Sequence, residues 1–148
     1  MKIALACDHG GYGLMQAVKA HLEEKGIEYK DFGTYSTASC NYPDFGAPAA
    51  HAVANGEFDF GIVICSTGIG MSIVANKVKG IRCALCSDCF SAEMTRRHNN
   101  ANMLALGALT VGSGLALKIV DTFLENTFDG GRHEKRVAMI ADVENGIL

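Results

Sequence analysis

Two residue groups in this sequence could do chemistry together. The first is Cys65-Ser66-Thr67-Gly68-Ile69-Gly70, in which a cysteine follows the apolar run Ile62-Val63-Ile64 and passes at once into a glycine-spaced turn. A thiol at the end of a strand, with backbone N–H groups and a hydroxyl in the next few residues, suits a base or nucleophile working on a molecule that develops negative charge. The second is Cys7-Asp8-His9-Gly10-Gly11, which follows the chain's first apolar run. Alone, Asp8 and His9 could be only a turn and a helix cap. Beside Cys65 they supply a carboxylate and an imidazole to the same crevice. Gly10-Gly11-x-Gly13 lacks the GxGxxG spacing, so a dinucleotide site is not expected.

Two polar clusters lie further along. His98-Asn99-Asn100-Ala101-Asn102 follows a helical stretch. One of its asparagines should cap that helix, while the imidazole of His98 can donate a proton. Near the carboxyl end, Gly130-Gly131-Arg132-His133-Glu134-Lys135-Arg136 places two arginines four residues apart on one helical face, an arrangement suited to a phosphate dianion. The plain alternative is a solvated basic turn. Nothing in the order of elements takes this segment to Cys65 within one chain, although a second subunit could bring it there.

Cys83-x-x-Cys86-x-x-Cys89 resembles metal-ligand spacing. Cys83 and Cys86 fall in an expected strand, where an odd spacing sends them to opposite faces, and no second CxxC completes a four-ligand site. They are expected to be buried small hydrophobes, with no metal. The six cysteines are expected to be reduced thiols rather than a disulfide framework.

These residues need elements to hold them. The strand readings are Lys2–Cys7, Ile27–Phe32, Phe60–Cys65, Ile81–Cys86 and Met103–Leu106. The helix readings are Leu14–Lys25, Pro43–Ala54, Gly70–Val78, Phe90–His98 (capped near Ser87 or Asp88), Leu115–Glu125 and His133–Glu144. Strands alternating with helices over short links predict an α/β chain, a three-layer, Rossmann-like, doubly wound domain on a five-stranded parallel sheet spanning 1–148. Such folds bind ligands beyond the carboxyl ends of their strands, where Asp8, His9 and Cys65–Gly70 fall. The 148 residues, 49% hydrophobic, are enough for a real core. A net charge of −3 and few aromatics exclude a broad nucleic-acid surface, and no apolar run suits a membrane span or a secretion signal. The expected setting is the cytoplasm.

Taken together, Cys7-Asp8-His9-Gly10-Gly11, Asp31-Phe32-Gly33-Thr34, Tyr42-Pro43, Cys65–Gly70, Ala75-Asn76-Lys77, Gly80-Ile81-Arg82, His98-Asn99 and Gly130–His133 resemble the type B ribose-5-phosphate isomerases. That family also contains the lactose-pathway galactose-6-phosphate isomerase subunits. The resemblance implies an aldose–ketose isomerase of the pentose phosphate pathway with no metal or other cofactor, working as a homodimer or tetramer with shared sites. It implies that Cys65 moves the proton between C1 and C2, assisted by Thr67, and that backbone N–H groups of Ser66, Gly68, Ile69 and Gly70 hold the enediolate. His98 would open the sugar ring, Asp8 and Asn99 would bind hydroxyls, and His9, Arg132 and Arg136 would grip phosphate, the arginines from the partner. Leu109 stands where ribose-5-phosphate isomerases of this type usually carry an arginine, and Ser66 where they carry glycine. The alternatives are therefore a six-carbon substrate such as allose or galactose 6-phosphate, or a sugar-phosphate-binding module without catalysis.

Overall fold

In the computed structural model, which describes residues 1–148, every strand of the sheet is parallel and the order is β2-β1-β3-β5-β4. The strands are β1 (Lys2–Cys7), β2 (Glu28–Asp31), β3 (Phe60–Cys65), β4 (Cys83–Leu85) and β5 (Met103–Gly107). The helices are α1 (Tyr12–Glu24), α2 (Pro43–Ala54), α3 (Ile69–Ala75), α4 (Cys89–Asn99), α5 (Ser113–Glu125) and α6 (Arg132–Glu144). None of these helices is long and apolar enough to cross a membrane.

The three central strands alternate large and small side chains, and this divides the interior into two cores. Leu5, Ile62 and Leu104 are register neighbours, as are Cys7, Ile64 and Leu106. They face α1 and α5 in a core that includes Met15, Leu22, Ile119 and Phe123. On the other face Ala6, Val63 and Ala105 stand in line, and the small surface lets the alanine-rich α2 and the short α3 pack closely. Strands covered on both sides must be apolar at every position, which is why these segments read as unbroken hydrophobic runs. Cys86 belongs to the first core and Cys83 packs against the second, as their odd spacing predicts.

Several boundaries differ from the sequence readings. α1 begins at Tyr12, two residues early, because the Asp8 carboxylate accepts the Gly11 N–H at 2.9 Å and closes the turn ahead of it. β4 shrinks to three residues at the sheet edge: the Arg82 N–H is taken by the Asn102 side chain at 2.8 Å instead of by a strand. α3 stops at Ala75, where Asn76 folds back to donate to the carbonyls of Ser72 and Cys83, each at 2.9 Å. The α4 cap is Asp88, whose carboxylate accepts the Ser91 N–H at 2.7 Å.

Arg96 is the one arginine in the interior. Its guanidinium lies over the rings of Phe60 and Phe123 and bonds the carbonyl of Ala101 and the side chain of Asn100. It thereby ties the end of α4 to the amino-terminal edge of the sheet.

Two outcomes follow from this packing. Phe123 is fully buried, with its ring 5.7 Å from that of Phe60, so Phe123→Ala should cost about 3–5 kcal/mol, read as a fall in the urea midpoint. Burial pushes the Cys7 and Cys83 thiols up to about 12 and Cys86 up to about 11. The unfolded chain ionises these thiols near the ordinary value of 9.0 while the folded chain keeps them protonated. Stability should therefore be unaffected by them below that pH and fall as pH rises beyond it. Urea titrations at pH 8 and pH 10.5, compared with Cys7→Ala, should show a shallower alkaline loss in the variant; an identical loss would contradict the assignment.

Candidate active site

Chain direction reverses between β1 and β3: the chain runs outward from β1 to β2, then crosses back to β3. A crevice opens beyond the carboxyl ends of strands that part in this way. The turns after β1 and β3 close over it by backbone contact. The Asp8 N–H donates to the Ile64 carbonyl at 3.1 Å. A Cβ on Gly11 would strike that same carbonyl, and one on Gly10 would strike the Ser66 side chain. Two consecutive glycines are needed because the turns touch.

Cys65 ends β3, is buried, and accepts the Gly68 N–H on its sulfur at 3.1 Å. Gly68 makes this possible with a left-handed backbone, φ +77°, and a Cβ there would lie 2.9 Å from the Leu106 carbonyl carbon. The Thr67 hydroxyl is exposed and accepts the Ile69 N–H at 3.3 Å. No group of the chain accepts the N–H of Ser66, Thr67 or Gly70. These three donors surround the sulfur's turn without partners, where a developing oxyanion could use them. The turn is braced from below, the carbonyls of Cys65 and Ser66 each accepting an N–H (of Ala108 and Leu109) at 2.9 Å.

Asp8 is buried, His9 exposed, and the His9 Nδ1 faces the Cys40 N–H at 3.4 Å. With Nδ1 accepting, a neutral His9 ring would carry its proton on Nε2. Tyr42 lies across Gly70, its ring 3.0 Å from where a Cβ would stand. Sequence reasoning assigned no role to Cys40 or Tyr42; the Tyr-Pro pair opening α2 was the available signal.

The remaining candidates sit elsewhere. α4 runs back along the sheet, so its last turn, with His98 and Asn99, ends beside the amino-terminal edge. There Arg82 donates to the Asn99 and Asn100 carbonyls, and the Asn102 carbonyl accepts from Gly61 at the start of β3. The six residues of β3, at about 3.3 Å each, put roughly 15–20 Å between this place and Cys65. His98, read from sequence as a proton donor at the edge of the sheet that holds Cys65, is thus at that sheet's opposite end. It lies instead with the start of α6: the ring of His98 stacks on His133, and Arg132 and Arg136 are exposed on the same helix. Asn100 caps α4 in the left-handed conformation, as the asparagine run suggested. The candidate residues therefore fall into two groups, Asp8, His9 and Cys65–Gly70 at one end of the sheet and His98, Asn99, Arg132 and Arg136 at the other.

Each thiol of the Cys83-Cys86-Cys89 run occupies a different setting. Cys83 and Cys86 pack against different cores, and Cys89 is partly buried against the first.

Comparison with known proteins places this geometry. A family model for the ribose/galactose isomerases matches residues 3–140. Ribose-5-phosphate isomerase B of Escherichia coli is 48% identical over 143 residues, covering 97% of this chain and 96% of that protein. The solved ribose-5-phosphate isomerase B of Clostridium thermocellum superposes with a TM-score of 0.97 at 52% identity over the full length of both chains. That of Mycoplasma genitalium, solved with bound ribulose 5-phosphate, gives 0.92 at 40% identity, covering 97% of this chain and 96% of the other. With the family model matching nearly the whole chain and the fold shared end to end with these proteins, the chain belongs to the ribose/galactose isomerase family.

Proposed function

We propose that this protein interconverts ribose 5-phosphate and ribulose 5-phosphate through an enediolate, as a single isomerase domain in a homodimer whose active sites combine the two groups. The observation that carries this reading is the Cys65 turn: a sulfur at the end of β3 with three unpartnered backbone N–H groups beside it. A binding module has no need of a thiol at that position, whereas a carbon-acid reaction needs a base and somewhere to hold the resulting charge.

In this reading the Cys65 thiolate removes the C2 proton of the open-chain aldose. The electron pair moves into a C1–C2 double bond, and charge gathers on the carbonyl oxygen within reach of the Ser66, Thr67 and Gly70 N–H groups. The proton returns to C1, and Asp8 passes the hydroxyl proton between O2 and O1. Thr67 steadies the same turn through its hydroxyl. His9 holds the phosphate, and the partner subunit supplies a second copy of His98, Asn99, Arg132 and Arg136. The guanidiniums grip phosphate far from the reacting carbons, so binding energy is used for positioning. His98 protonates the ring oxygen of the furanose, and Asn99 binds a hydroxyl. Backbone donors stabilise the enediolate in this scheme, so it requires no cofactor.

Leu109 is exposed with its N–H bonded to the Ser66 carbonyl, so the position beside the Cys65 turn carries no positive charge. That observation favours testing six-carbon aldose phosphates alongside pentoses. The highest kcat/KM in a panel of ribose 5-phosphate, allose 6-phosphate and galactose 6-phosphate identifies the substrate; preference for a hexose would replace ribose 5-phosphate, and no turnover on any would overturn the isomerase reading.

Cys65→Ala should lower kcat by on the order of 10³-fold while substrate binding, followed by calorimetry, changes only a few-fold. Near-normal turnover would remove Cys65 from the role of base. The shared site has a separate test. Cys65→Ala and Arg132→Ala/Arg136→Ala proteins, each nearly inactive, are mixed and allowed to exchange subunits. In a random mixture half the dimers are hybrids with one intact site each, so activity should recover to about a quarter of the wild-type value. Exchange proven by native mass spectrometry without recovered activity would place the arginines in their own subunit's function.

A further inference from the structure

α6 has one buried residue, and it is a histidine. The His133 ring lies flat on that of His98, with centroids 4.3 Å apart and planes within 6°. Two imidazolium rings at this separation repel, so the pair takes one proton readily and a second with difficulty. The surroundings decide which ring takes it. The Arg132 Nε–H points at Nε2 of His133 over 3.4 Å. A guanidinium is always a donor, so Nε2 of His133 is the acceptor and a neutral ring carries its proton on Nδ1.

The charges around the pair come from three elements. α6 contributes Arg132, Arg136 and Glu134, and Glu134 turns toward Gly130. α4 contributes Glu93, Arg97 and His98, and the α5–α6 link contributes Asp129. Arg97 engages both acids, Glu93 at 2.7 Å and Asp129 at 3.1 Å. Burial, then His98 and the two arginines, hold His133 below the usual histidine range, against a weaker pull from Asp129.

We propose that the stacked pair holds a single proton and keeps it on His98, with His133 a neutral ring of fixed tautomer that positions the acid. This rests on the reading of His98 as the group that opens the sugar ring. In that step the bond from C1 to the ring oxygen breaks and its electron pair goes to the oxygen, which takes the His98 proton. The anomeric hydroxyl loses its proton as the carbonyl forms, and that proton restores His98. His133 is a positioning residue: its flat face fixes the plane of the donor, and its refusal of a proton leaves the donor charged.

Nitrogen-detected NMR of the histidine rings in the wild-type protein reads the proton directly, with the five histidines assigned by single His→Gln variants. As pH falls from 8.5 to 5, His98 should charge first, and His133 should keep the neutral Nδ1–H pattern for at least about one pH unit further. His133 charging first, or carrying its proton on Nε2, would overturn the proposal. A kinetic arm uses ribose 5-phosphate. His133→Phe, which keeps a flat ring but no proton, should retain more than about a tenth of wild-type kcat/KM, and His98→Ala less than about a hundredth. Equal losses would overturn the role of His133 as a neutral ring that only positions the acid. The titration needs no substrate, so a chain inactive on every sugar phosphate defeats the proposed function and still leaves the proton's location decided.

Discussion

The contact on which the site depends is backbone against backbone: the turn after β1 pressed onto the turn after β3. The Asp8 N–H reaching the Ile64 carbonyl adds one bond beyond the parallel ladder of the two strands. Gly10 and Gly11 have no Cβ because those atoms would occupy the Ser66 side chain and the Ile64 carbonyl. This closeness buries Asp8 beside Cys65 and spends the Asp8 carboxylate partly on the Gly11 N–H, which in turn starts α1. The start of a helix, the placement of a carboxylate and the shape of the thiol's turn are thus consequences of one close approach.

The size alternation in the sheet serves the same end. Ala4, Ala6 and Ala105 on the α2–α3 face leave a shallow surface, so α3 can follow β3 after a turn of three residues. A larger residue there would push α3 outward and open the Cys65 turn. On the opposite face the large residues build most of the interior, with Phe123, Ile119 and Leu104 all fully buried. Stability is drawn mainly from one face of the sheet, and the precise turn is built on the other.

Most of this was legible in the sequence. Apolar runs marked β1, β3 and β5, since strands covered on both faces cannot hide polar residues. Cys65, Asp8 and His9 were legible as one crevice because parallel α/β sheets put the ends of their strands together. Strand order was not: periodicity is blind to which strands are neighbours, and β5 slots between β3 and β4. The location of His98 was missed for a related reason. Its residue type suggested chemistry, but a helix returning along the sheet carries its last turn to the wrong end for the Cys65 crevice. The short β4 was also illegible, because its limit is set by Asn102, a side chain 20 residues away.

α6 carries the last step. An isolated helix of 13 residues is marginal in water, and this one buries only His133. It is held at its far end by the Gly80 N–H on the Glu144 carboxylate at 2.8 Å. Between these ends Met139, Ile140 and Val143 remain exposed, and the last two line a cavity of about 590 Å³ together with Ile81, Ala84 and Ala101. An apolar stripe on a weakly anchored helix is a liability in a chain that works alone. In the homodimer proposed above it is what a second subunit would cover, and the same helix begins with the two arginines assigned in that proposal to the partner's phosphate. The helix least explained by its own chain is therefore the one whose position the proposed shared site would most depend on.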